Sequence, residues 1–506
     1  MIEETTQNQP DEPRHRIASE IYPNWNRRRR TGLIVSGSVL LLAGLGVLQI
    51  HNARQSAADN STAQASVPDQ TALQLPSSAR VKGRKLFYEC DQARSLKQIA
   101  REYYDYSSIF SLDDFKTHLS QLNPDKIKKG RCISGSAIEI PQPLLETIHN
   151  EPLAWPRSKA IKAVYIRGEN ARPNRMQREL SQMQRRGVNS VVFDVKDILG
   201  VINYRSRIPE VERLRRHSPP IYNIAKLIHY LHQNEIYVIA RMALFQDENL
   251  AITRPELAIK DGASPNGSLL VKGKPLWVDP GHPAVRQYNL EIVDELISLG
   301  VDEIQFDYVR YPAEGNLKQV TYRNVKDHTD KTRHLVEFLQ TAWLKTRPTR
   351  VRLSIDIFGI VAWGEEVDIR ATGQRISKLA PWVDIISPML YPSHFNRGFD
   401  GFENPADEGL HFYEQGVRKV LAHSTSNPHL IVRPWIQAFK WRVKNYNAEY
   451  INDQIRGSYL GGGSGWLMWN AGNQYDLVYQ ALRKGHPEGQ LDTTSQKRLT
   501  LTEEQQ

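Results

Sequence analysis

Between residues 160 and 482 of this 506-residue chain, short apolar runs rich in β-formers alternate with longer amphipathic stretches. The runs lie at 163–166, 190–193, 237–240, 303–306, 352–355, 385–388, 430–434 and 465–469. Between them, 175–186, 221–233, 285–299, 331–345 and 446–456 carry apolar residues at helical spacing. Buried strands alternating with helices argue for parallel βα units. Eight such units in about 320 residues fit an α/β fold of the (β/α)8 TIM-barrel type in both count and size. A doubly wound open sheet is the competing arrangement. It calls for a glycine-rich phosphate turn after the first strand, and Arg167-Gly168-Glu169-Asn170 is not one. Gly461-Gly462-Gly463 precedes the last strand and reads as a plain turn.

In a parallel barrel the chemistry sits where the strands end, so the residues just past each run are the informative ones. The first run ends in Arg167-Gly168 and the second in Asp194-Val195-Lys196-Asp197. The third ends in Arg241-Met242, and the fourth in Asp307-Tyr308 with Arg310 nearby. The fifth gives Asp356 and then Phe358-Gly359; the sixth gives Met389, Tyr391-Pro392 and His394. The seventh supplies Trp435 and Gln437, the eighth Trp469-Asn470. Any one of these could merely cap a helix or make a structural pair. Polar and aromatic groups at nearly every end are stronger evidence than any single member.

Cleaving a glycosidic bond takes two carboxyl groups, one as acid and one as nucleophile or base. Asp307 and Asp356 end neighbouring strands and are expected to face each other as the catalytic pair. Arg310 or Arg241 would hold Asp307 as a carboxylate. Ile355, Ile357 and Phe358 surround Asp356 with apolar groups, a setting that raises a carboxyl pKa toward that of a general acid. Asp194, Lys196, Arg241, Tyr308, Arg310, Tyr391, His394 and Asn470 are the candidate substrate-binding groups. Trp435, Trp466 and Trp469 offer flat faces for pyranose rings, with one or two of them alternatively in the core. No His-x-x-His or His-Glu-x-x-His spacing occurs, which argues against a metal-dependent deacetylase. No metal ligand or cofactor is expected.

Residues 162–204, DEIQFDYVRYP at 302–312, LSIDIFG at 353–359, ISPMLYPSHF at 386–395 and GWLMWNAGN at 465–473 resemble the glycoside hydrolase family DUF4015. The resemblance spans nearly all of 160–482. It implies a sugar-cleaving TIM barrel related to the GH13-like, amylase-type groups. In those barrels the strand-4 aspartate is the nucleophile, a role that Asp307 matches, and the strand-5 acid is a glutamate. Asp356 departs from that pattern, which leaves Glu365, Glu366 and Asp194 in reserve as the acid.

The N-terminus bears on location. Arg27-Arg28-Arg29-Arg30 precedes an uncharged apolar segment, 31–50. About 20 such residues can span a bilayer core, and the arginines place the basic tail, 1–30, in the cytoplasm. The expectation is a single-pass anchor in the inner (cell) membrane with the bulk periplasmic or extracellular. A cleaved signal peptide, with a site near Ala57-Ala58, is the competing reading. Residues 51–80 read as a flexible linker, and 486–506 as a polar tail. In an exported chain the two cysteines, Cys90 and Cys132, read as a disulfide rather than as free thiols. The formal charge of +10 comes with no nucleic-acid-binding motif, so anionic membrane or cell-wall polymers are its simpler partners.

Residues 81–145 show a strand, a capped helix from Ser95, a second helix near 115–122, Asn123-Pro124 and a last strand through Ile138 to Pro141. This pattern resembles a LysM domain, which implies binding to N-acetylglucosamine-containing polymers such as peptidoglycan. A spacer that binds nothing is the alternative, because the 105–114 insertion and the cysteine pair depart from the family. Together the sequence points to a membrane-anchored hydrolase of a cell-envelope or exported polysaccharide, with 159–485 as the catalytic domain. The rivals are an inactive glycan-binding scaffold and a transglycosylase.

Overall fold

A computed structural model describes residues 73–484. The expected cytoplasmic tail, the anchor, most of the linker and the polar tail lie outside the described residues. Among the described residues no helix is long and apolar enough to cross a membrane.

The first unit packs two helices on a small antiparallel sheet. Strands β1 (Ala79–Lys82), β2 (Lys85–Cys90) and β3 (Ser136–Glu139) pair in that order. Thus β1 begins just before the expected end of the linker. Helix α1 (Leu96–Tyr103) starts at Ser95, whose side chain accepts from the Gln98 N–H while Gln98 bonds back to the Ser95 N–H. This capping box satisfies two donors that a helix start otherwise leaves open. Helix α2 (Leu112–Leu122) starts at Ser111, so the second expected helix begins earlier than its apolar pattern suggests. Cys90 and Cys132 form a disulfide.

The 105–114 insertion is the seam to the rest of the chain. Phe110 leaves the small core and stacks on Tyr230 at 4.4 Å, joining the large apolar core. The Lys226 ammonium donates to the carbonyls of Tyr104 and Ile109. Burial pushes its pKa down to about 7.

The larger unit is a nine-stranded, all-parallel sheet flanked by helices, a TIM-like α/β fold. Its strands are β4 (Lys162–Ile166), β5 (Ser190–Lys196), β6 (Tyr237–Ala243) and β7 (Glu303–Asp307). They continue with β8 (Arg352–Phe358), β9 (Ile385–Met389), β10 (Ile431–Val432), β11 (Trp435–Gln437) and β12 (Trp466–Trp469). The sheet order is β10-β9-β8-β7-β6-β5-β4-β12-β11. Its edge strands are therefore two halves of one stretch, residues 431–437. Pro434 lacks a donor and interrupts the ladder, yet its carbonyl accepts from Leu467 while the Arg433 N–H reaches Ile386. One segment thus bonds to both sides of a barrel-like sheet.

Every expected strand is present, and several run further than expected. Asp194, Lys196 and Arg241 lie inside strands rather than beyond them, and Asp356 sits well within β8. A charged residue is a poor strand-end signal when the sheet's interior is itself polar. All five expected helices form, with shifted ends: α3 (Pro173–Gln184), α4 (Ile224–Gln233), α5 (Pro283–Ser298), α6 (His328–Thr346) and, after the helix Gly409–His423, Ala448–Leu460. Helix Gly409–His423 escapes a periodicity reading because it contains Gly416. A Cβ there would sit 2.4 Å from Leu390 Cδ2, so close packing on β9's exit explains the glycine.

Two apolar populations are separate. The larger fills the space between strands and helices. A smaller one, including Ala163, Tyr165, Val192, Tyr237, Ile239, Trp435 and Leu467, occupies the interior of the sheet. Trp155 stacks on Tyr237 at 5.8 Å and covers the N-terminal end of that interior.

Candidate active site

Three strands deliver aspartates to one guanidinium. Arg241, on β6, donates through Nη1 to Asp194 of β5 and through Nη2 to Asp307 of β7. Its Nε lies 3.7 Å from Asp356 Oδ2 on β8. Asp194 and Arg241 are register partners, as are Asp307 and Ala243. Four neighbouring strands thus meet near their C-terminal ends, and all four side chains are buried. Asp307 has a second donor, the N–H of Tyr308, at 2.6 Å. Tyr308 holds φ at 52°, a left-handed conformation costly for a residue with a Cβ. The turn after Asp307 is therefore constrained where it aims the carboxylate.

The three acids are not equivalent. Asp356 has no exposed side-chain surface. Burial first, and the Asp307 charge second, hold its pKa well above the usual carboxyl range. Its Oδ1 accepts from Trp435 Nε1 at 2.8 Å, whereas no donor reaches Oδ2. A buried carboxyl oxygen without a donor fits a protonated acid, which can give a hydrogen bond there. Burial also raises the pKa of Asp194, although Arg241 and the Tyr165 hydroxyl oppose the shift. Tyr165 Oη donates to Asp194 Oδ2 at 2.5 Å.

A second charged layer lies deeper in the sheet and serves as an internal control. Arg433 pairs with Glu303, which also accepts from Ser354 Oγ at 2.5 Å and Tyr237 Oη at 3.3 Å. That layer has one acid for one base, and the acid takes further donors, as a structural pair should. The upper layer has three acids for one base. That is more acid than pairing with Arg241 requires, and it sits at the end of the sheet where chemistry is expected.

The sequence-derived residues divide accordingly. Asp307, Asp356, Asp194 and Arg241 come together. Arg310 does not join them: it pairs with Glu314 at 3.4 Å and lies over Trp277 and Phe358. The Asp307 partner is therefore Arg241, because the turn at Tyr308 carries Arg310 away. Tyr308 turns its ring to Trp277 at 5.9 Å and contributes only its backbone to Asp307. Lys196 is no substrate ligand. It is fully buried, pairs with Asp247 at 2.8 Å, and donates to Asn289 on α5 and to the carbonyls of Ala243 and Leu244. A register irregularity between Asp194 and Lys196 turns it out of the sheet interior.

Trp435 is buried and serves Asp356 through its N–H rather than offering a face, and Trp466 is core. Trp469 remains partly exposed, 4.3 Å from Tyr165 and beside Arg241. Tyr391 packs against His394 at 5.1 Å and against Phe439 at 5.7 Å. Burial and nearby Arg442 push the His394 pKa down to about 4, so this ring is neutral at pH 7. Asn470 is a turn brace: its amide donates to Ala438 O and its oxygen accepts from Gly472 and Gln474. Of the three reserve acids, Asp194 joins the cluster and the two glutamates do not. Glu365 and Glu366 are exposed, and Glu366 pairs with Arg375. Tyr165 and Phe439 are the site residues that the strand-end reading missed. Tyr165 was legible from alternation, since it shares a strand face with Ala163.

The DUF4015 family model, "Putative glycosyl hydrolase domain", matches residues 163–475. The chain belongs to this glycosyl hydrolase family. The DUF4015 match covers all four charged residues of the upper layer. A hypothetical protein from Ruminiclostridium thermocellum ATCC 27405 is 32% identical, over 38% of this chain and 96% of that one, with a TM-score of 0.34. The PgaB (BpsB) glycoside hydrolase domain from Bordetella bronchiseptica is 15% identical, over 65% of this chain and 99% of that one, with a TM-score of 0.47. An alpha-amylase from Lactobacillus plantarum is 14% identical, over 63% and 72% respectively, with a TM-score of 0.39. No curated protein matches the chain.

Proposed function

We propose that this DUF4015 protein hydrolyses O-glycosidic bonds in a polysaccharide, with Asp307 as nucleophile or base and Asp356 as general acid, in a closed (β/α)8 barrel. The observation that carries this reading is the unequal pair: Asp307 held by two donors, and Asp356 dehydrated and lacking a donor on one oxygen. A buried carboxyl whose pKa is raised can serve as the acid beside a carboxylate held by an arginine. Arg241 orients Asp307 and offsets its charge. Trp469 and Phe439 border the site with partly exposed rings on which a sugar can stack.

The location belongs to the same proposal. Residues 31–50 anchor the chain in the cell membrane, and the catalytic unit works outside the cytoplasm on envelope or exported glycan. The Cys90–Cys132 disulfide supports an oxidising compartment. The small unit, with its βααβ order, binds N-acetylglucosamine polymers such as peptidoglycan in the manner of a LysM domain.

The burial of Asp356 favours a second reading, a glycan-binding scaffold whose acid never reaches a substrate. A glycan panel screened for new reducing ends separates the two. Hydrolysis by the wild type, lost by at least about a thousandfold in Asp307→Asn, supports the enzyme. Binding without cleavage by either protein supports the scaffold.

A further inference from the structure

The first strand-to-helix loop carries a basic pocket that the catalytic arrangement does not use. Arg172, Arg175 and Arg178, with Asn170 and Glu169, line an open hollow of about 310 Å³. This is the low end of the range for small-ligand sites and suits one sugar substituent better than a chain. Arg172 and Arg178 are exposed and make no ion pair with any described residue. Arg175 pairs with Glu179, yet its buried Nε has no hydrogen-bond partner. The lining acid, Glu169, is drawn to Arg167 at 3.2 Å.

Two further features favour an anion. The pocket lies at the start of α3, a 12-residue helix whose first turn contains no acid and whose Arg172 N-cap gives no side-chain bond. Its amide groups and dipole add positive potential, and the α2 carboxylates Asp113 and Asp114 approach the same helix through the side chains of Asn174 and Gln177. The loop is also tied to the charged layer. A Cβ on Gly168 would lie 2.6 Å from the Asp194 carbonyl oxygen. Arg175 donates to the Asn473 carbonyl, and the Asn473 amide donates to the Tyr165 carbonyl. The pocket thus lies at the same end of the sheet as the catalytic carboxylates.

We propose that this pocket is an anion subsite for a carboxylate, sulfate or phosphate carried by a sugar of the bound glycan. The inference rests on the glycan reading and narrows it to acidic polysaccharides. The formal charge of +10 works in the same direction.

The test measures binding by full-length Asp307→Asn protein, so that turnover does not intervene. The anionic probes are oligogalacturonate, dextran sulfate and phosphorylated oligomannose; the neutral ones are maltohexaose and N-acetylchitohexaose. At least one anionic probe should bind about tenfold more tightly than the neutral ones, an advantage that Arg172→Gln/Arg178→Gln removes. Neither arginine makes a described ion pair, so that variant should unfold at the parent temperature. The probe that responds identifies which group is recognised. Equal binding of neutral and anionic probes overturns the subsite and leaves the glycan reading standing. A preference that survives the double substitution overturns the assignment to this pocket. No binding by either class overturns both.

Discussion

Arg241 faces three carboxyl groups with one positive charge, which disfavours ionising all three and favours keeping a proton among them. Asp356 is the group that takes one. Its folded pKa is raised, so its stabilising contribution is complete below the unfolded carboxyl value of about 3.9. That contribution is lost as pH rises through the folded value. Asp356→Asn removes this titration yet keeps an oxygen for the Trp435 N–H. The variant should gain thermal stability relative to wild type as pH rises from acid to neutral. Melting curves at several pH values test this, and a pH-independent difference would contradict the protonated state. At this scale the sequence revealed the acids better than their partners. Which of Arg241, Arg310 and Lys196 enters the interior depends on a turn at Tyr308 and an irregularity in β5. Neither has a composition signal.

The strand-to-helix units were legible because a strand buried on both faces must be apolar almost throughout. Their lengths were not, because charged residues inside a polar interior look like strand ends. Loops add constraints that only packing shows. Gly168 follows β4, and a Cβ there would meet Asn203 Nδ2 at 2.2 Å as well as the Asp194 carbonyl. Gly168→Ala must therefore displace Asn203 or β5. We expect a loss of about 1–3 kcal/mol in urea unfolding, with weakened catalysis because Asp194 moves with β5 and disturbs its pairing with Arg241 on β6. Unchanged stability would mean that the loop relaxes without disturbing the strand.

At the scale of the whole molecule, the small unit is bound to the barrel-like unit through the insertion that departs from its expected family pattern. Phe110 is 6% exposed and sits in the larger unit's core. Phe110→Ala should cost about 3–5 kcal/mol and split a shared unfolding transition into two, as calorimetry would show. A single transition at a slightly lower temperature would mean that the other contacts suffice. The insertion was visible in the sequence as a departure from the pattern, but its role was not, since an aromatic residue in a loop does not announce what it packs against. The proposed glycosidase chemistry rests on an unequal carboxyl pair, and leaving-group dependence tests that directly. The rates of Asp307→Asn and Asp356→Asn are compared on one cleaved glycan and on its activated aryl glycoside, whose leaving group needs no proton. Asp356→Asn should be slow on the glycan and largely restored on the aryl glycoside, while Asp307→Asn stays inactive on both. Equal losses of Asp356→Asn on the two substrates, or full activity of Asp307→Asn on either, would contradict the assignment.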